Sequence, residues 1–497
     1  MVSALARHDV PCCPFVPLDQ RQMPIVSAIA SYRRSGTISF STPGHKGGAG
    51  FDPALRDLLG DDLGEADVWL NPADHAAALT AAERLAAGAW GADRTFFLTN
   101  GSSAGNQALM LAMVGPGDTV IVGRDLHQSL LTALILTGAR PIYLPPRLHP
   151  ELGVGIGIDP EDLAAALAAN PETRLVSVVS PTYWGVTSEL QALAAIAHQW
   201  DVPFVVDAAW GPHFGFSTAL PASALTSGAD AAITSPHKVL SGLSQAALLH
   251  VRGERIDAAR VASAVAMTRT TSPLLPILAS LDACRRQLAI DGERMLGRVV
   301  TLAAGARRRL RAIPGIDLLD ADRLGLPPRR VDPTRLVLDL AGIGLTGMAA
   351  ERALRDRFAI APEMSDLLGV ICLITPGDTG HGIDRLVGAM AALAGERRPR
   401  FTSTSLLRSA TAAVAPGPQA LTPREAYFAP ARPVPLRETV GAVGAEAVVP
   451  YPPGIPVFTP GEIITAVKVD YLRAVLAEGL HIRGPADPTL ETLRVVA

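Results

Sequence analysis

Short apolar runs alternate with amphipathic stretches through most of this chain. From Thr95 onward the runs are FFLTN (Phe96–Asn100), TVIVG (Thr119–Gly123), RPIYL (Arg140–Leu144), RLVSVVS (Arg174–Ser180), PFVVDA (Pro203–Ala208), AAITS (Ala231–Ser235) and AALLHV (Ala246–Val251). Between them lie segments with helical spacing, among them GSSAGNQALMLAMV, LHQSLLTALILTG and ELQALAAIAHQW. Runs this short and this apolar read as strands buried on both faces. Their alternation with helices predicts a mostly parallel sheet covered on both sides, an α/β fold. A long Arg- and Ala-rich helical pattern follows over about Leu274–Ala312. After it, LVLDLAG, a helix near Gly347–Arg357 and VICLITP predict a second, smaller α/β unit.

The pattern weakens at both ends. Residues 1–40 read as an N-terminal arm with one helical stretch around Ile25–Ser35. We expect a large domain over 41–290, a small α/β domain over 291–398 and a polar covering segment over 399–426. A C-terminal module, Pro-rich around VVPYPPGIPVFTPGE, is expected over 427–497. At 497 residues, several units are the natural division.

Composition narrows the function. Hydrophobic residues make up 48% of the chain, yet no run approaches the ~20 apolar residues of a membrane span. Prolines sit where a secretion signal has its apolar stretch, so none is expected. A net charge of −3 without a basic run argues against nucleic acid and anionic membranes as partners. Cys12, Cys13, Cys284 and Cys372 make no disulfide framework, which suits reduced thiols in the cytoplasm. His45, His75, His127, His213 and His237 show no metal-ligand spacing, and no metal is expected.

Four local motifs carry chemistry. Ser235-Pro236-His237-Lys238 follows a predicted strand. A lysine there is costly to bury charged, so it is either an ordinary loop residue or one whose amine reacts with a carbonyl. Asp207 ends the strand PFVVDA, with the small Ala209 two positions on. It either caps a turn or pairs with a protonated ring nitrogen. Asn100-Gly101-Ser102-Ser103 opens a helix, as a plain cap or as a hydroxyl-lined anion site. His127 follows the strand TVIVG, as a hydrogen-bonded histidine or as a ring available for stacking. All four fall at carboxyl ends of predicted strands, where open α/β sheets bind their ligands.

These residues resemble the ornithine/lysine/arginine decarboxylases among the fold-type I pyridoxal-phosphate enzymes, in the short form without an N-terminal regulatory domain. The likeness runs from STPGHKGG (Ser41–Gly48) through TFFLTNGSSAGN, GRDLHQS, SPTYWG, VVDAAWGPHF and TSPHKVLSGLSQ to PEMSDLLGVICLITPGDT and PYPPGIPVFTPGEIIT. The resemblance implies decarboxylation of a basic amino acid, with pyridoxal 5′-phosphate as cofactor and Lys238 as its Schiff-base lysine. It implies that Asp207 pairs with the pyridine nitrogen, and that His127 and Ala209 flank the ring. Ser102, Ser103, Ser235 and His237 then line the phosphate. Thr182, Trp184 and Trp210 edge the substrate pocket, and Glu462, with Glu65 as second candidate, meets the substrate's distal cation. Apart from the resemblance, Lys238 or His237 is the expected donor of the proton that returns to Cα.

The resemblance also implies at least a homodimer with shared active sites. The chain departs from the family pattern at Leu274 and Leu275, where a polar and an aromatic residue are usual in a segment donated across that interface. Gly64 replaces a usual threonine, and Trp210 follows the ornithine/lysine pattern. These departures leave the choice among arginine, lysine, ornithine and a nonstandard amino acid open. An aminotransferase-like reaction and an inactive homologue are the competing readings. No arginine motif for an α-carboxylate is evident, and the paired Lys238 and Asp207 argue against inactivity.

Overall fold

A computed structural model describes residues 18–396, 413–451, 454–477, 479 and 481–497. Cys12 and Cys13 lie outside them, as do parts of the expected arm and covering segment. Seven strands form the main sheet: β1 (Arg94–Leu98), β2 (Thr119–Gly123), β3 (Arg140–Leu144), β4 (Leu175–Val179), β5 (Phe204–Asp207), β6 (Ala231–Thr234) and β7 (Ala247–Val251). Their order is β1-β7-β6-β5-β4-β2-β3. β7 runs antiparallel to both its neighbours, and the remaining pairs are parallel.

Side chains of a strand point alternately to opposite faces, so a doubly covered sheet needs apolar residues at successive positions. Phe204 and Val206 of β5 enter one apolar cluster, while Val205 enters the other. Ile121 of β2 joins the first, and Val120 and Val122 join the second. This two-sided burial is why the strands read as continuous apolar runs.

A 37-residue helix, Leu275–Arg311, leaves the main unit. Its first half, including Leu281, Leu288 and Leu296, packs into the main core. Its second half, including Val299, Ala303 and Leu310, packs under a second sheet. The division expected at 290/291 thus falls inside one continuous helix. The second sheet is antiparallel, ordered β10-β11-β9-β8: Met364–Ser365, Gly369–Leu373, Arg335–Asp339 and Asp317–Leu318. The C-terminal residues add two small antiparallel two-stranded sheets, β12 (Ala431–Pro435) with β15 (Thr492–Val496) and β13 (Val449–Tyr451) with β14 (His481–Arg483). The helix Ala466–Ala477 and buried Val448, Phe458 and Leu472 give this part its own apolar cluster. Among the described residues, no helix is long and apolar enough to cross a membrane.

Candidate active site

Parallel strands place their carboxyl ends, and the turns that follow, on one edge of the sheet. A cavity of about 740 Å³ opens there. Ser102, His127, Thr182, Asp207, Trp210 and Lys238 all line it. Lys238, Trp210 and His127 also line an adjoining cavity of about 390 Å³, with His237 and Glu363.

Lys238 sits on the single-turn helix Pro236–Val239 directly after β6. Its Nζ lies 4.1 Å from the centroid of the Trp210 ring. The Arg335 guanidinium lies 4.5 Å from the same centroid. Burial pushes the Lys238 ammonium down to about 8; Asp207 opposes the shift and Arg335 adds to it. About a tenth of this amine is therefore neutral at pH 7, far more than for a free lysine near ~10.4, and a nucleophilic amine must be neutral.

Asp207 ends β5 and is buried. Its Oδ2 accepts from Asn106 Nδ2 at 2.8 Å, and its Oδ1 accepts from the Ala209 amide at 3.1 Å. Asn106 Nδ2 also donates to Ser129 Oγ at 2.9 Å. Ser129 Oγ lies 2.7 Å from His127 Nδ1, which also accepts from the Ser129 amide at 3.1 Å. His127 caps the helix Gln128–Thr137 while its ring stays exposed to the cavity. One hydrogen-bonded chain thus links the stacking candidate to the ring-nitrogen candidate. Burial lowers the His127 pKa, with Asp207 acting the other way.

Ser102 stands in the first turn of the helix Gly101–Met113, and its neighbour Ser103 is half-buried. Ser235 is fully buried, and among the described residues neither its Oγ nor Thr99 Oγ1 has a hydrogen-bond partner. Orphaned hydroxyls at this edge fit an anionic ligand better than a finished core. His237 Nδ1 donates to the Ala246 carbonyl at 2.8 Å, and burial lowers its pKa. Trp184 is buried and donates from Nε1 to Asp366 Oδ2 at 3.3 Å.

Glu462 is placed elsewhere. It is fully buried, and both its oxygens are bound by Arg124, with Nη1 and Nη2 each at 2.7 Å. Lys468 Nζ lies 3.3 Å away, the Thr459 amide donates at 3.1 Å and the Gly417 amide at 3.4 Å. Two buried cations demand a buried carboxylate, and Glu462 meets that demand, so no oxygen remains for a substrate. Glu65 lines neither cavity and pairs with Arg33 at the surface. Leu275 packs into the chain's own core, whereas Leu274 is 39% exposed; only Leu274 is free to reach a neighbour.

Sequence reasoning missed Asn106, Ser129, Arg335 and Glu363. Glu363 lies within the quoted segment PEMSDLLG, but nothing in the sequence places it near Lys238. It is exposed at the second cavity; partial desolvation raises its carboxyl, with Arg335 and Lys238 opposing. Arg335 is buried with Asp332, which in turn lies 3.2 Å from His213. Burial works against the Asp332 charge, yet His213 and Arg335 hold its carboxyl below the usual range.

This strand order, with an acid ending β5 and a lysine after β6, is the fold of the fold-type I pyridoxal-phosphate enzymes. The constitutive lysine decarboxylase of Escherichia coli superposes with a TM-score of 0.80, over 97% of this chain and 82% of that one, at 21% identity. Lysine decarboxylase A of Pseudomonas aeruginosa gives 0.80, over 96% and 81%, at 24% identity. Residues 23–324 match the family model for the major domain of Orn/Lys/Arg decarboxylases, and residues 407–484 match that for the C-terminal domain. Arginine decarboxylase of Bacillus subtilis is 38% identical, covering 96% of this chain and 99% of its own length. That of Halalkalibacterium halodurans is also 38% identical, over 96% and 98%. The chain belongs to the Orn/Lys/Arg decarboxylase family and is an amino acid decarboxylase.

Proposed function

We propose that this chain converts L-arginine to agmatine and carbon dioxide, using pyridoxal 5′-phosphate held at Lys238. The observation that carries the reading is a lysine with a depressed pKa sharing one cavity with a buried, doubly hydrogen-bonded aspartate. Arginine is favoured over lysine and ornithine by the 38% identity to arginine decarboxylases over nearly the whole chain.

The residues fit the cofactor: a carboxylate for a protonated ring nitrogen, a hydroxyl-bearing helix N-terminus for a phosphate, and an unpartnered Ser235 Oγ beside the lysine turn. When bound, the cofactor supplies an electron sink for the pair released as the Cα–carboxylate bond breaks. Asp207 keeps the ring-nitrogen proton in place, and Asn106 and the Ala209 amide orient its oxygens. His127 and Ala209, which both line the cavity, would hold the cofactor ring. Ser102, Ser103 and Ser235, with His237, would hold the phosphate. Thr182, Trp184 and Trp210 wall the substrate and exclude water. Lys238 Nζ returns the proton to Cα. His237 is unsuited to that step: its Nδ1 proton is held by the Ala246 carbonyl, which leaves Nε2 bare in the neutral ring.

Glu363 receives the distal guanidinium, since an unpaired cation in a pocket is expensive and Glu462 is committed elsewhere. The active unit is at least a homodimer in the cytoplasm: Ile38 and Phe40, 81% and 93% exposed, present apolar surface suited to a second copy.

The test is carbon dioxide release from arginine, lysine and ornithine by one preparation. It is paired with borohydride treatment and peptide mapping for cofactor fixed at Lys238. Release from arginine with label on Lys238 supports the whole reading. Label without release from arginine removes the substrate; absence of label removes the cofactor site.

A further inference from the structure

Arg124 directly follows β2 and stands three positions before His127. Its side chain is fully buried, and among the described residues its side-chain hydrogen bonds all go to one distant segment. Nε donates to the Pro456 carbonyl at 3.1 Å and Nη2 to the Val457 carbonyl at 3.1 Å. Nη1 reaches Thr459 Oγ1 at 3.4 Å, and both terminal nitrogens meet Glu462 at 2.7 Å. Tyr143 of β3 closes the cluster: its ring lies 4.8 Å from the guanidinium, and its hydroxyl accepts from Thr459 Oγ1 at 3.2 Å.

The turn between β2 and the next helix is therefore held at both ends. Ser129 and Asn106 hold the His127 imidazole from within the large unit. The C-terminal residues hold Arg124. We infer that Glu462 is a positioning residue for the imidazole of His127, acting through Arg124, so that the C-terminal part of the chain sets how tightly the cofactor is retained. The inference rests on the cofactor reading above. A guanidinium buried without its carboxylate must turn toward water, and only two residues separate Arg124 from His127. The turn moves with it.

The experiment follows cofactor loss from the full-length holoenzyme by its visible absorbance, in a double-mutant cycle of Glu462→Asp with His127→Ala. Shortening the acid by one methylene keeps the charge but breaks the two-pronged contact. With His127 present, Glu462→Asp accelerates pyridoxal-phosphate loss about fivefold or more, the scale of one ordinary hydrogen bond. With Ala at 127, the same change alters the rate less than about twofold, because no imidazole is left to misplace. Equal acceleration in both backgrounds overturns the inference and leaves a general stabilising role. No acceleration in either overturns it too. Wild-type protein that retains no cofactor removes the cofactor reading itself, which separates the two failures. If Glu462→Asp does not fold, Thr459→Val replaces it in the same cycle: it removes a hydroxyl from the cluster while leaving the charges paired, and the same pattern of rates decides.

Discussion

Replacing Asn106 by Asp tests the buried hydrogen-bond chain without using the cofactor at all. The two side chains have nearly the same shape, but the amide nitrogen that donates to Asp207 at 2.8 Å becomes an oxygen. Asn106 is 3% exposed and Asp207 5%, so water screens the new pair poorly. Two unit charges at that separation and an effective dielectric near 20 repel by about 6 kcal/mol, or roughly four pH units as a ceiling. The folded protein avoids this by taking up a proton on the introduced carboxyl. Its folded pKa then lies above its unfolded value near ~4, so the folded state binds more protons than the unfolded state over the window from about pH 4 to about pH 8. Stability relative to wild type falls as pH rises through that window. Thermal melts of the full-length variant and wild type at pH 5 and pH 8 measure it, and the gap should be several degrees wider at pH 8. Asn106→Ala, which loses a charge-assisted bond worth about 1.5–3 kcal/mol, should show a gap that changes little with pH. An Asn106→Asp gap of equal size at both pH values would refute the coupling to Asp207.

Other outcomes follow from the same site. Lys238→Ala should fold, retain no borohydride-fixed cofactor and release no carbon dioxide above background; label elsewhere would move the reactive lysine. In the cofactor-stripped protein, acylation of Lys238 should titrate with a midpoint at about 8, being fast above it and slow below, because the neutral amine is the nucleophile; a midpoint near that of a free lysine would contradict the burial argument. Glu363→Gln should raise KM for arginine by about tenfold or more with a smaller change in kcat, the signature of lost side-chain binding rather than lost chemistry. An unchanged KM would exclude Glu363 as the acid that meets the distal cation. Trp184→Phe should leave cofactor retention intact and lower thermal stability modestly, by the one bond to Asp366.

The sheet was legible because its strands are buried on both faces: TVIVG and RPIYL are strands with the bounds read from the sequence. The antiparallel β7 was not, since an apolar run carries no direction. Lys238 and Asp207 were legible as residue types at strand ends. What surrounds them was not, because hydrogen-bond partners far apart in the chain leave no local trace. Asn106 lies 101 positions from Asp207, and Arg124 lies 338 from Glu462. A glutamate in a Pro-Gly turn looks the same in sequence whether it faces a substrate or neutralises a buried arginine. Only the position of Arg124 decides between them, and that position is a property of the fold.

The chain of contacts from Asp207 to His127 fixes the tautomer of the imidazole. Asn106 Nδ2 only donates, so Ser129 Oγ must accept from it and is left to give its own hydrogen to His127. His127 Nδ1 therefore accepts twice, from the Ser129 hydroxyl and from the Ser129 amide. The neutral imidazole has a single proton, and it resides on Nε2. The ring consequently presents an N–H edge, never a bare nitrogen lone pair, and cannot abstract a proton while this chain is intact.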